Sequence, residues 1–164
     1  MLFIDYKKAF DCVRWGELWK ILKDIGVPKH LIILIKNLYE NNSGKVRIEN
    51  QMSNDFKSFK GVRQGCVLSP DLFNIYGELI MRMSLDGDEV GINIGGENIS
   101  NLRYADDIVL LTSSENDMVK LIEKIERVSN AFGLQINKSK TKLMVIDRNN
   151  QIQLTDRLKQ YELV

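Results

Sequence analysis

The chain has 164 residues, 44% hydrophobic and 27% charged, a composition that excludes a disordered or fibrous protein. Its net charge of +1 is well below the basic balance of many dedicated nucleic-acid binders, so overall charge assigns no partner. The longest apolar run, "LIILI", is too short for a membrane span, and two cysteines with a single histidine support neither a disulfide framework nor a zinc site. We therefore expect one soluble, intracellular domain over residues 1–164.

The first half of the chain opens with "LFID", which predicts a strand that ends at Asp5. Apolar residues at helical spacing then predict one helix in "WGELWKILKDIG" and a second that begins at Pro28. "KVRIE" alternates apolar and charged residues, which predicts a hairpin with "DFKSFKGV" across the polar link "NQMSN". Another helix is predicted in "SPDLFNIYGELIMRM", with Ser69 as its N-cap.

In the second half, "GINIGGENIS" and "LRYADDIVLLTS" predict antiparallel strands, the second interrupted by an acidic pair. "SSENDMVKLIEKIERVSNAFG" is the clearest helix, with Ser114 as N-cap and one apolar stripe from Met118 to Phe132. "LQIN" and "TKLMVID" predict closing strands, and the last residues, "NNQIQLTDRLKQYELV", indicate no particular element. This order predicts an α+β fold in which helices cover one face of a mostly antiparallel sheet.

The acidic pair Asp106 and Asp107 interrupts an apolar run, so it must lie at a turn, face solvent or hold a cation. Aspartate is common in turns, but "ADD" lacks the glycine that a tight two-residue turn favours. Asp5 also ends an apolar strand, and if the two strands lie side by side, Asp5 and Asp106 converge on one divalent-ion site. Oxygen ligands suit Mg²⁺, with Mn²⁺ as the alternative ion, and paired ions promote phosphoryl transfer.

Four segments in fixed order carry a family resemblance: "FIDYKKAFD", "GVRQGCVLSPDLFNIY", "YADDIVLL" and "GLQINKSKTKLMV". They resemble the successive palm motifs of reverse transcriptases, most closely those of non-LTR (LINE-like) retrotransposons, and they cover roughly Leu2 to Ile146. The resemblance implies a polymerase palm whose activity is that of an RNA-directed DNA polymerase, a nucleotidyltransferase. Such an enzyme uses Mg²⁺ and deoxynucleoside triphosphates to extend a DNA primer on an RNA template, and a nuclear location is expected with it.

The resemblance also assigns catalytic and metal-binding roles. Asp5 and Asp106 match the aspartates that bind the two magnesium ions, and Asp107 completes the family's catalytic triad, although adjacent strand residues point to opposite faces. The backbone carbonyl of Tyr6 is a further candidate metal ligand. Lys140 matches a lysine proposed to act on the leaving pyrophosphate as a general acid or electrostatic partner, with a solvated surface lysine as the alternative.

Candidate substrate contacts follow in the same way. Phe10 matches an aromatic residue that crowds the sugar 2′ position, a role that requires the chain to turn near Lys7 and Lys8, and otherwise it is a core phenylalanine. Gln64 and Gly65 match a loop beside the template and the incoming nucleotide, where a glycine permits close backbone approach. Tyr104 is expected near the primer end. Two arginines are candidate phosphate contacts, Arg63 and Arg103.

The chain also departs from the family pattern. A complete enzyme of this kind has fingers before the first motif, a thumb after the last and usually an endonuclease, for which 164 residues have no room. We therefore expect a palm fragment of a longer polyprotein, weakly active or inactive by itself. Two alternatives stay open: a non-catalytic nucleic-acid-binding remnant of the same fold, and a metal-dependent nuclease or phosphatase that uses the same carboxylates.

Overall fold

The computed structural model describes residues 1–40, 43–87, 90–147, 152 and 154–164. Contacts within the chain divide it into two compact units, Met1–Ala9 with Gly77–Val164, and Phe10–Tyr76. The helices are α1 (Ala9–Cys12), α2 (Trp15–Asp24), α3 (Lys29–Glu40), α4 (Ser69–Leu85), α5 (Glu115–Ala131) and α6 (Asp156–Lys159). The strands are β1 (Leu2–Ile4), β2 (Ser43–Gly44), β3 (Arg47–Ile48), β4 (Gln51–Met52), β5 (Phe56–Lys57), β6 (Ile92–Ile94), β7 (Glu97–Ile99), β8 (Asn101–Tyr104), β9 (Asp107–Leu110), β10 (Lys142–Leu143) and β11 (Glu162–Leu163).

The first unit is built on a five-stranded sheet in the order β11-β10-β1-β9-β8. All neighbouring strands are antiparallel except β10 and β11, which run parallel. Strand β1 lies in the middle, where Leu2 is paired with both Leu110 and Leu143. The two strands that carry the acidic residues at their ends, β1 and β9, therefore lie side by side, as the metal-site hypothesis requires.

The two faces of this sheet differ in burial, because successive strand residues point to opposite sides. Leu2, Ile4, Ile108 and Leu110 are buried, whereas Phe3 on the other face is exposed. The buried side chains of α5 fill the core of the same unit, and each buried leucine or isoleucine stabilises it by roughly 1.5–3 kcal/mol; they are Met118, Leu121, Ile122 and Ile125. The predicted α+β class and the predicted α5, with Ser114 accepting a hydrogen bond from the Asp117 N–H, are confirmed.

The second unit contains the two predicted helices α2 and α3 and a two-stranded ribbon. Strand β2 pairs with β5, and β3 pairs with β4, both antiparallel. The hairpin was predicted, but its expected register was wrong: the chain reverses at Glu49 and Asn50 rather than across "NQMSN". A positive φ of 53° at Glu49, which residue type alone does not indicate, permits this tighter reversal.

The predicted closing strands are mostly absent from the described residues. "LQIN" contributes only an isolated bridge between Ile136 and Tyr6, and β10 is two residues long. The physical reason is a turn at Asn137, whose carbonyl accepts hydrogen bonds from the N–H groups of Lys140 and Thr141. The C-terminal residues, for which the sequence indicated no particular element, form α6 and β11 beyond residue 154. Across the described stretches, no helix is both long and apolar enough to span a membrane.

Candidate metal centre

The acidic pair belongs to the hairpin that joins β8 and β9. Tyr104 pairs with Asp107, so Ala105 and Asp106 are the two central residues of a tight turn. Ala105 has a φ of 53°, a conformation that costs an L-residue roughly 1–2 kcal/mol. The absence of glycine from "ADD" argued against a tight turn, and that argument was wrong. Turn and metal site do not exclude each other, because this turn lies at the end of β9, beside β1.

The register of β1 against β9 places Asp5 and Asp107 together. Ile4 pairs with Ile108, so Asp5 and Asp107 are the next residues along two antiparallel strands. By strand alternation both lie on the face opposite Ile4 and Ile108, the open face of the sheet. Asp106, half-buried, adjoins them in the turn. Sequence reasoning named Asp106 as the first partner of Asp5, and the sheet makes Asp107 its immediate neighbour.

Asp5 is held in place by the segment between α5 and β10. Its carbonyl accepts a hydrogen bond of 2.7 Å from the Asn137 N–H, and its N–H donates to Thr141 Oγ1 at 3.4 Å. Thr141 is fully buried, and its hydroxyl donates to the Asn137 carbonyl at 2.9 Å. Sequence reasoning missed Thr141. Its only signal was a polar β-branched residue directly before a short strand.

One oxygen of the Asp5 carboxylate suits a cation. Oδ2 is buried and has no hydrogen-bond partner in the described part of the chain. A buried carboxylate oxygen without a partner is costly, and a divalent ion would satisfy it. Within residues 1–40, 43–87, 90–147, 152 and 154–164, however, no three His, Cys, Asp or Glu side chains are arranged to hold an ion, so the expected three-carboxylate cluster is not preformed. Mg²⁺ commonly takes one or two carboxylates and completes its shell with water and phosphate, so the residues present fit it.

Three further predicted site residues lie in this unit. The Tyr6 side chain is buried, and its hydroxyl shares a 2.7 Å hydrogen bond with Ser129. Burial raises the pKa of Tyr6, and the Ser129 hydrogen bond partly offsets that rise. Its ring is thus core, and the proposed role of its carbonyl stays a prediction. Lys140 is exposed in the turn that begins at Asn137, and Tyr104 is 83% exposed at the end of β8.

Phe10, Gln64 and Gly65 lie in the second unit. The turn that Phe10 requires is confirmed, because the chain reverses at Lys7 and Lys8. Phe10 is half-buried and stacks on Phe73, with ring centroids 4.5 Å apart. Gln64 and Gly65 form an exposed turn in which Gly65 has a φ of 81°. A side chain added there would meet nothing, so the chain itself needs this glycine for its backbone conformation.

Arg103, a candidate phosphate contact, is held by a carboxylate. Its Nη1 lies 2.6 Å from Glu78 Oε2, and Glu78 Oε1 accepts a hydrogen bond of 2.7 Å from Arg82. The hydrogen bond from Arg82, together with the charge of Arg103, lowers the pKa of Glu78. Arg103 therefore contacts a phosphate either through its other guanidinium N–H groups or by leaving Glu78.

A family model described as reverse transcriptase (RNA-dependent DNA polymerase) matches residues 1–161. Among curated proteins, the Pol polyprotein from the retrotransposable element R2DM of Drosophila melanogaster is 28% identical over 137 residues, 84% of this chain and 13% of that protein. The R2 Pol polyprotein of Nasonia vitripennis is 29% identical over 81% of this chain and 13% of its own length. The RNA-directed DNA polymerase from the mobile element jockey of Drosophila melanogaster is 28% identical over 70% of this chain and 12% of its own length.

Among solved structures, apo telomerase from Candida tropicalis, truncated from its C-terminal domain, superposes with a TM-score of 0.64. The match covers 85% of this chain and 29% of that chain at 23% sequence identity. At this identity the likeness concerns the fold alone. The chain spans roughly an eighth of the length of the curated relatives above.

Proposed function

Because the chain belongs to the reverse transcriptase (RNA-dependent DNA polymerase) family, we propose that residues 1–164 are the palm of an RNA-directed DNA polymerase. In this proposal the chain joins deoxynucleotides to a DNA primer on an RNA template. The observation that carries it is the placement of Asp5 beside Asp107, with a buried Asp5 oxygen that has no described partner. That arrangement is costly for folding alone and useful for holding a divalent cation.

The carboxylates of Asp5, Asp106 and Asp107 and the carbonyl of Tyr6 would hold Mg²⁺, or Mn²⁺ in its place. When bound, the metal ions supply charge stabilisation to the leaving pyrophosphate and activate the primer hydroxyl. Asp5 is the pre-positioned member of this set, because hydrogen bonds from Asn137 and to Thr141 fix its backbone. The acidic turn brings the other two carboxylates to the same end of the sheet.

The remaining residues of the family motifs take substrate roles. Lys140, exposed on its turn, is suited to donate a proton or a positive charge to pyrophosphate. Phe10 limits the room at the sugar 2′ position, and Gln64 with Gly65 contacts the template or the incoming nucleotide. Tyr104, exposed at the end of β8, is suited to pack against the primer end.

The relatives are polyproteins or polymerases several times longer than this chain. We infer that fingers, thumb and endonuclease regions of such a polyprotein complete the enzyme, and that the palm alone is a weak polymerase. The family also implies a nuclear site of action. Microscopy of a tagged chain tests that location, and exclusion of the tag from the nucleus would contradict it.

The decisive experiment is primer extension by the purified chain on an RNA template with Mg²⁺, compared with an Asp106→Asn variant. We expect extension to fall on the order of 100-fold or more, because a group that stabilises the transition-state charge is lost. Asp24→Asn, which removes an exposed carboxylate at the end of α2, is the matched control and should leave extension unchanged. Measurable extension by the wild type that is equalled by the Asp106→Asn variant would refute the assignment. Cleavage of nucleic acid without added nucleotides would identify a nuclease instead.

A further inference from the structure

The loop Ser58–Gly61, here called the Phe59 loop, exposes an aromatic ring. It follows β5, and the Phe59 side chain is 79% exposed. Burying a phenylalanine ring stabilises a fold, and Phe59 forgoes most of that stabilisation. A single exposed apolar residue is ordinary on a protein surface. What distinguishes Phe59 is the way in which its loop is fixed and charged.

The Phe59 loop is held by one internal hydrogen bond and is anchored to the rest of its unit at Gly61. The Ser58 hydroxyl donates a 2.8 Å hydrogen bond to the Lys60 carbonyl. The Gly61 N–H donates to the Val13 carbonyl at 2.7 Å, and the Gly61 carbonyl accepts from Trp15 Nε1 at 2.7 Å. Gly61 has a φ of 91°, and an added side chain there would lie 3.1 Å from the Asp11 backbone, so only glycine is tolerated. The ring is thus presented from a fixed backbone.

Three cations flank Phe59 in the sequence. The stretch "KSFKGVR", residues 57–63, has three cations and no acid. Lys57, Lys60 and Arg63 are exposed, and in the described parts of the chain none of them forms an ion pair. By contrast, Lys45 on the same ribbon lies 3.7 Å from the Asp55 carboxylate. Exposed cations without a described ion pair, close in sequence to an exposed aromatic ring, favour an anionic ligand with flat apolar groups.

A cavity of about 560 Å³ adjoins the loop. Its lining includes the aromatic residues Trp15 and Tyr39 and the cations Lys60 and Arg63. Asp11 is its one acidic lining residue among the described residues, so positive charge predominates. Its size is adequate for a nucleobase with its sugar and phosphate, since small-molecule sites usually measure roughly 300–1,000 Å³.

We propose that the Phe59 loop binds single-stranded nucleic acid. Phe59 stacks on an unpaired base, while Lys57, Lys60 and Arg63 contact the flanking phosphates. Aromatic side chains within a basic surface are how proteins bind single strands without reading their sequence. The ligand class rests on the proposed function, but the surface shares no residue with the carboxylate site and needs no metal ion. Strand binding and catalysis are therefore separable by experiment.

The test is fluorescence anisotropy of a labelled, unstructured oligouridine titrated with the full chain in EDTA. We expect Phe59→Ala to weaken binding about 5- to 150-fold, the ratio that corresponds to the loss of one base stack, and Phe59→Trp to retain binding. Ile48→Ala removes another exposed apolar side chain of the ribbon, 71% exposed, and should bind as the wild type does. If Phe59→Ala binds like the wild type, or Ile48→Ala weakens binding equally, the proposal is overturned.

Salt dependence tests the cations independently. Lys60→Gln and Arg63→Gln should each lower the slope of log affinity against log salt by about 0.7, the value for one lost phosphate contact on a single strand. Lys29→Gln on α3 is the matched control and should leave the slope unchanged. Asp106→Asn should keep full affinity, so failed primer extension with intact binding would count against the proposed function alone. If oligouridine does not bind, and Phe59→Ala abolishes self-association in sedimentation, the loop is a contact between copies and the proposal fails.

Discussion

Ile4 pairs with Ile108 across the two central strands of the sheet, and that one register makes Asp5 and Asp107 neighbours at its open end. A slip of one residue between β1 and β9 would turn one of the two carboxylates to the buried face, because strand side chains alternate. The buried pairs on the core face oppose such a slip. Packing on one side of the sheet therefore fixes the geometry of the acidic residues on the other.

Replacing Asp5 should abolish metal binding and raise the stability of the metal-free chain. Asp5→Asn removes a charge that has one buried oxygen without a described partner and that lies beside Asp107. We expect calorimetric binding of Mn²⁺ to be lost, and the metal-free chain to gain about 1 kcal/mol in free energy of unfolding, since sites built for function are often strained. Urea denaturation in EDTA measures the gain. Retained Mn²⁺ binding in Asp5→Asn would contradict the site, and Asp24→Asn is its control.

Thr141 should position Asp5 through its hydroxyl. Thr141→Val keeps the shape but removes a buried hydroxyl that accepts from the Asp5 N–H and donates to the Asn137 carbonyl. We expect a loss of about 1–2 kcal/mol in free energy of unfolding, since a buried donor or acceptor is left unpaired. Thr141→Ser retains the hydroxyl and should bind Mn²⁺ as the wild type does, even where its free energy of unfolding is not fully restored. Equal Mn²⁺ affinity in the Val and Ser variants would assign Thr141 to packing alone.

The acidic turn should be more stable with glycine. Ala105 has a φ of 53°, which glycine adopts without steric cost, so Ala105→Gly is expected to raise the free energy of unfolding by about 1 kcal/mol. Ala131→Gly, at the end of α5, should lower it by up to about 1 kcal/mol, because glycine disfavours helix. The urea midpoints of the two variants should move in opposite directions. Movement in the same direction would show that the turn relaxes around Ala105.

Glu78 should make stability depend on acid pH. The Arg82 hydrogen bond and the Arg103 charge lower the pKa of Glu78 below its ordinary 4.5 in the folded chain. The resulting stabilisation is present above pH 4.5 and is lost as pH falls through the lowered pKa. Because Glu78, Arg82 and Arg103 are partly exposed, we expect this contribution to the free energy of unfolding to be at most about 1 kcal/mol. Urea denaturation across this range should show a shallower pH dependence in Glu78→Gln, whereas Glu97→Gln, on the exposed β7, should follow the wild type.

Periodicity predicted the helices well. Apolar residues recur at helical intervals in α2, α3 and α5, and packing against that stripe is what stabilises such helices. The candidate site was predicted from Asp5 and Asp106 because folding alone rarely favours an acid directly after an apolar strand. Its detailed neighbours were not predictable, since the pairing of Asp5 with the Asp107 strand depends on contacts distant in sequence.

The failures share a local cause. Glu49 and Ala105 both take positive φ angles that their residue types disfavour, so the turns they form could not be predicted from composition. Asn137 draws "LQIN" and the start of "TKLMVID" into a turn by accepting two backbone hydrogen bonds. Local hydrogen bonds that compete with strand pairing in this way are recognisable only when their partners are known.

Strand β1 is made before both of its partners. It occupies the centre of the sheet, yet its two neighbours, β9 and β10, begin at Asp107 and Lys142. During synthesis, about a hundred further residues must therefore be added after Asp5 before β1 has a neighbouring strand. Pairing between segments so distant in sequence is slow. Until then the chain carries Asp5 without its partner carboxylate. The candidate metal site therefore assembles only on a chain that has been translated through β9, so a shorter chain does not form it.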